Sequence, residues 1–156
     1  MRRLETAKAL APSIALLFLA SAALPQDGKR GKEVVLTKDA PNPAGPYSQA
    51  IKAGGFVFAA GQIARDPATN KIVAGDVKAQ TERVLKNLSA VLAAAGTSMD
   101  RVVKTTVFLK NAGDFQSMNE VYATFFTGGA PPARTTVQAT LPNEAALVEI
   151  DVVALQ

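Results

Sequence analysis

The chain has 156 residues, 48% of them hydrophobic, which is enough for one domain with a buried core and argues against a disordered chain. It holds no cysteine and no histidine, which excludes disulfides, a thiolate nucleophile, a Cys-ligated metal and the commonest acid–base side chain. The net charge of +4 lies wholly in residues 1–32, with six Lys/Arg against two Asp/Glu, while residues 33–156 hold eleven of each sign. A chain built to neutralise phosphates carries its charge on the folded domain, so nucleic acid is not expected as a partner.

The amino-terminal "MRRLETAK" is a basic segment diluted by Glu5. "ALAPSIALLFLASAA" follows, an apolar run broken by Pro12 and ending in small residues suited to cleavage near Ala22 or Ala23. The run is short of the ~20 apolar residues of a membrane-spanning helix. Residues 1–23 therefore resemble a secretory signal peptide, with an uncleaved membrane anchor as the alternative. Removal of the leader leaves no membrane contact and places the protein in the periplasm or outside the cell. Residues 24–32, including "QDGKRGK", form a polar linker, and a single domain is expected over 33–156.

Glu33–Lys38 is a short strand candidate, and the proline-rich "DAPNPAGPYSQ" over 39–49 is an ordered loop. Gly55–Ile63 reads as a strand in which Gly61 marks a bulge or a close backbone approach, and Arg65–Lys71 as a turn. Asp76 is the expected N-cap of a helix reaching Ala95, with Val77, Val84, Leu88, Val91 and Ala95 at helical spacing and Gly96 as the stop. Arg101–Lys110 is a β-branched strand. Asp114 is expected to cap a second helix with the stripe Phe115, Met118, Val121, Tyr122 and Phe125, ended by Gly128–Gly129. Two strands, Arg134–Leu141 and Ala146–Leu155, close the chain around the tight connection "PNEA".

This order predicts an α+β fold with both helices on one face of a mixed sheet. The other face, rich in Thr, Val and Gln, suggests an oligomer interface. The simplest register for the last two strands is an antiparallel hairpin pairing Val137 with Ile150 and Ala139 with Val148. That register puts Arg134 and Glu149 on a common face but about 13 Å apart along the strand.

The segments "APNPAGPYSQA", "GQI", "VVKTTVFLKNAGDFQSMNEVYATFF" and "PPARTTVQATLPNEAALVEI" resemble the RidA family, also called the YjgF family, in order over roughly residues 34–155. The resemblance implies a chorismate-mutase-like fold and a homotrimer with three clefts between subunits. It implies hydrolysis of reactive enamines and imines, such as 2-aminoacrylate, to 2-keto acids and ammonia. By that resemblance Arg134 grips the substrate carboxylate, and Glu149 positions or activates the attacking water. Tyr47, the Gly61 backbone and Asn119 line the cleft. Thr136 stands where relatives often have cysteine, and Ala60 where many have a serine hydroxyl.

The side-chain chemistry is compatible with those roles. A guanidinium matches a carboxylate with two hydrogen bonds, and Pro131–Pro132 stiffen the backbone before Arg134. An imine is already electrophilic, so the reaction requires no cofactor, metal, histidine or cysteine. Without the resemblance, Arg134 is a solvated surface arginine, Glu149 an exposed strand acid, Tyr47 a packed loop tyrosine and Asn119 an ordinary helix residue. Two other functions compete with an exported imine deaminase. One is a non-catalytic trimeric small-ligand-binding or chaperone-like protein, which an exported location favours. The other is RNA cleavage, against which the neutral domain and missing histidine count.

Overall fold

The computed structural model describes residues 31–156, so the leader and nearly all of the linker lie outside the described residues. Among the described residues no helix is long and apolar enough to cross a membrane. The elements are β1 (Glu33–Val35), β2 (Ala50–Ala53), β3 (Phe56–Ile63), α1 (Val77–Ala94), β4 (Val102–Leu109), α2 (Phe115–Phe125), β5 (Ala133–Gln138) and β6 (Val148–Leu155). The strands form one sheet in the order β1-β2-β3-β6-β4-β5, antiparallel except for the parallel pair β4–β5.

The expected α1 forms for the expected reasons. The Asp76 carboxylate accepts from the Ala79 N–H at 3.0 Å, satisfying one of the donors a helix start leaves free. Gly96 follows the helix at φ 82°, a left-handed conformation suited to glycine. Val84, Leu85, Leu88, Val91 and Leu92 are fully buried against the sheet, where they meet Val57, Val107, Ile150 and Val152. The apolar stripe of α2 delivers Met118 and Tyr122 to the same layer. Both helices therefore cover one face.

Four expectations are corrected. β2 was missed, although Gly54 (φ 59°) and Gly55 (φ 82°) make the tight two-residue turn that pairs it with β3. Asp114 makes no side-chain cap; it closes a 3-10 turn over Ala112–Asp114 that feeds directly into α2. That helix stops at Phe125, where Phe126 leaves helical geometry, before reaching Gly128–Gly129. The terminal hairpin does not exist. β5 returns parallel to β4 through the α2 crossover, and the residues between β5 and β6 carry the chain back over β4. Val137 pairs with Phe108, while Ile150 pairs with Val107 on one side and Gln62 on the other. The hydrophobic match that favoured the hairpin is satisfied better with β6 central, because Val148, Ile150, Val152 and Ala154 then face the helices and are buried completely.

Among the described residues, nothing covers the face of the sheet away from the helices. It presents Phe56, Phe58, Val103 and Val137, each at least 37% exposed, beside Thr106, Glu149 and Asp151. It is more aromatic and acidic than the Thr/Val/Gln face expected, and Gln49 and Gln62 are buried instead.

Candidate functional site

The site begins with a bulge. Between Ala59, paired with Val152, and Gln62, paired with Ile150, two β3 residues oppose the single Asp151. On the other side of β3, the Ala60 N–H donates to the Gln49 carbonyl at 3.0 Å and so extends the β2–β3 ladder by one pair. Gly61 then lies against Glu149. A Cβ built there would come within 3.1 Å of the Glu149 Cδ and 3.2 Å of its Cγ. The space a side chain would fill is taken by the carboxylate, which accounts for the glycine.

The loop before β2 forms the opposite wall. Prolines lack an N–H, so a proline-rich loop has few donors for its own carbonyls. Gln49, 1% exposed, supplies them: its Nε2 donates to the carbonyls of Thr37, Ala40 and Pro41 at 3.0, 3.2 and 2.9 Å, and its Oε1 accepts from the Thr37 N–H at 2.7 Å. The Tyr47 hydroxyl accepts from the Ala44 N–H at 3.0 Å, which folds the loop tip while leaving the ring half-exposed. Between these walls is a cleft of about 530 Å³ lined by Pro41–Ala44, Tyr47, Gln49, Ala60–Ile63, Arg65, Pro142, Asn143 and Glu149. The Glu149 carboxyl is half-buried, and that desolvation, followed by the charge of Asp151, raises its pKa above the usual carboxylate value.

Tyr47, Gly61 and Glu149 thus meet in one cleft, with Ala60 beside them. Arg134, Thr136 and Asn119 meet elsewhere. Arg134 sits opposite Thr105, whose side chain is buried on the helix side, and Glu149 sits opposite Phe108 on the uncovered side. Side chains alternate along a strand, so three positions along β4 put Arg134 and Glu149 on opposite faces. The common face expected from the hairpin is therefore corrected. Arg134 lies with its guanidinium carbon 4.6 Å from the Tyr122 ring centroid and 5.6 Å from that of Phe115. Asn119 falls between those two residues on the same side of α2, at i, i+4, i+7 spacing. Thr136 shares the Arg134 side of β5, and its buried hydroxyl has no partner among the described residues.

The ion pairs among the described residues are Lys52–Glu33, Lys78–Glu120 and Lys86–Glu82, so neither Arg134 nor Glu149 is neutralised there. A half-buried cation and a half-buried acid, both unspent, can serve a ligand that carries an anion at one end.

The family model described as Endoribonuclease L-PSP matches residues 37–156. The chain belongs to the RidA (YjgF) family. A RutC family protein of Pyrococcus horikoshii is 54% identical over 123 residues, covering 79% of this chain and 97% of that one. The chloroplastic Reactive Intermediate Deaminase A of Arabidopsis thaliana is 46% identical over 123 residues, covering 79% of this RidA-family chain and 65% of its own length. The solved structure of E. coli TdcF with bound serine superposes with a TM-score of 0.75 at 38% identity, covering 80% of this chain and 98% of that one.

Sequence reading passed over Gln49, Gln80 and the Thr105–Tyr122 pair. Gln80, also buried, donates to the Ala145 carbonyl at 2.9 Å and accepts from the Leu147 N–H at 2.8 Å, which fastens the loop carrying Pro142 and Asn143 to α1. The available signal for Gln49 was its place at the end of a loop short of donors; apolar periodicity carries none for any of them.

Proposed function

We propose that this protein hydrolyses reactive enamine and imine acids, such as 2-aminoacrylate in its imine form, to 2-keto acids and ammonia. Glu149 packed on the Gly61 backbone within a cleft is the observation that carries the reading. Its pKa, raised by burial and then by Asp151, makes it a stronger base than an ordinary carboxylate, which suits a group that takes a proton from water. The existence of a relative named Reactive Intermediate Deaminase A, and of a TdcF structure holding serine, an amino acid with a carboxylate, supports the same chemistry.

In this reading the substrate carboxylate takes two parallel hydrogen bonds from Arg134. Water, oriented by Glu149, adds its oxygen to the imine carbon while Glu149 accepts a proton. That proton passes to nitrogen to give the carbinolamine, the hydroxyl proton is then transferred by way of Glu149 to the same nitrogen, and the C–N bond breaks to release ammonia as the keto group forms. One imine and one water give one ketone and one ammonia. Tyr47 and Ala60 wall the cleft on the Glu149 side; Asn119 and Thr136 flank Arg134.

Because hook and acid lie on opposite faces of one sheet, each copy supplies half of two different sites. We therefore assign the complete site to the junction of neighbouring copies, assembled as a homotrimer through the uncovered face. Export directed by residues 1–23 belongs to the same proposal, and amino-terminal sequencing of protein recovered from the extracellular or periplasmic fraction tests it.

The deciding experiment generates 2-aminoacrylate in situ and follows pyruvate release. Wild type is expected to accelerate release and Arg134→Ala to leave it at the uncatalysed rate. Equal rates for the two proteins would sink the enzymatic reading in favour of a ligand-binding protein.

A further inference from the structure

Arg134 is held from behind by an element that substrate never needs to touch. Tyr122 is 6% exposed, and its hydroxyl lies 2.8 Å from that of Thr105, which is fully buried and sits directly opposite Arg134 across the β4–β5 pair. The ring also packs on Phe126 with centroids 4.5 Å apart. Tyr122 therefore cannot turn without breaking a buried hydroxyl pair and a ring contact. Phe115, the second ring beside the guanidinium, is 43% exposed and has no such anchor.

A guanidinium stacks through its face and hydrogen-bonds through its edge. A ring beneath the guanidinium restricts the plane of the fork while leaving edge N–H groups for a carboxylate. An unsupported arginine at a sheet edge would lose its rotamer freedom only on binding, at a cost in affinity. We propose that Tyr122, fixed by Thr105, is a positioning residue that sets the plane of the Arg134 fork before substrate arrives. This inference rests on the carboxylate-gripping role of Arg134.

The first test is kinetic, with 2-aminoacrylate generated in situ. Tyr122→Leu is expected to raise KM about tenfold and to change kcat less than about threefold, because the fork is mis-set while Glu149 is untouched. Tyr122→Phe, which keeps the ring, should recover most of that loss. An unchanged KM overturns the proposal.

The second test needs neither turnover nor a folded leucine variant. The Arg134 Nε–H resonance of wild type, identified by its loss in Arg134→Ala, should lie upfield of ordinary arginine because it sits over a ring, and should move on titration with 2-oxobutanoate. A resonance at the ordinary position overturns the proposal even if Tyr122→Leu does not fold. Absence of imine hydrolysis in wild type would instead refute the proposed function, while the resonance would still decide whether Tyr122 holds the fork.

Discussion

Gly61→Ala isolates the contact on which the catalytic reading depends. The backbone there is not left-handed, so alanine adopts it without strain. The atoms nearest to the added methyl all belong to the Glu149 side chain, with its Cδ at 3.1 Å and Cγ at 3.2 Å. Those distances are below ordinary carbon–carbon contact, and the carboxylate oxygen is nearer still, so the carboxylate must swing away. Holding a side chain off its preferred rotamer costs about 0.5–1.5 kcal/mol. Replacing a glycine where the backbone allows it returns about 0.4–1 kcal/mol through the unfolded chain. Stability should therefore change by less than about 1 kcal/mol, a shift of a few degrees in Tm. Displacing a catalytic group by about 1 Å costs on the order of 10²-fold in rate. The expected outcome is a folded protein of unchanged assembly whose kcat for 2-aminoacrylate hydrolysis is lower by about that factor. The double variant Gly61→Ala/Glu149→Gln should be no slower than Glu149→Gln alone. A wild-type kcat in Gly61→Ala, beside a crippled Glu149→Gln, would show that the carboxylate does not act from its place on Gly61.

The remaining expectations concern charge, support and assembly. Since burial and Asp151 raise the Glu149 pKa, the native state keeps a proton that the unfolded chain releases near pH 4.3, so stability falls as pH rises through the folded value and stays lower above it. Glu149→Gln should accordingly raise Tm at pH 7 and leave it unchanged near pH 3.5, and the acid limb of the wild-type kcat/KM profile should lie above pH ~4.3 and vanish in the variant. Gln49→Leu orphans the Thr37 N–H and removes the amide donor from three loop carbonyls; at about 1–3 kcal/mol for a buried unpaired group, a loss of about 3 kcal/mol is expected in denaturant titration. Phe58→Asp, at a ring 47% exposed on the uncovered face, should reduce the light-scattering mass to that of one chain and abolish turnover with it.

The sequence was most legible where one periodicity governs one element. α1 has a capping carboxylate, a stripe and a stopping glycine, and it formed over Val77–Ala94 as spacing required. Gly61 was flagged as a close approach, and the bulge and Glu149 supply the reason. The terminal strands were misread because alternation fixes which residues share a face within a strand but not which strand is the neighbour. Val137 and Ile150 match in hydrophobicity, yet an intervening β4 with apolar residues on both faces, Val107 inward and Phe108 outward, matches each of them as well. Only the parallel return through α2 decides between these pairings. Gln49 and Thr105 were illegible for another reason: a buried polar side chain is justified by partners distant in sequence, and no local pattern announces them.

The corrected topology changes what the site requires. In the hairpin register, a bulge or a long ligand was needed to close a gap between Arg134 and Glu149 along one face. With β4 between their strands and the two on opposite faces, no bulge could unite them, and a ligand would have to pass through the sheet. The two half-sites nevertheless have complementary needs. One offers an unneutralised guanidinium at the sheet edge with an unpartnered Thr136 hydroxyl beside it, and the other an unneutralised carboxylate in a cleft that stays open. The exposed apolar face carrying Phe56, Phe58 and Val137 gives copies of the chain a reason to associate. Association that brings the edge of one copy to the cleft of the next completes both halves at once. On this argument assembly is a precondition of catalysis, and a variant that acts without assembling would separate what the sheet geometry joins.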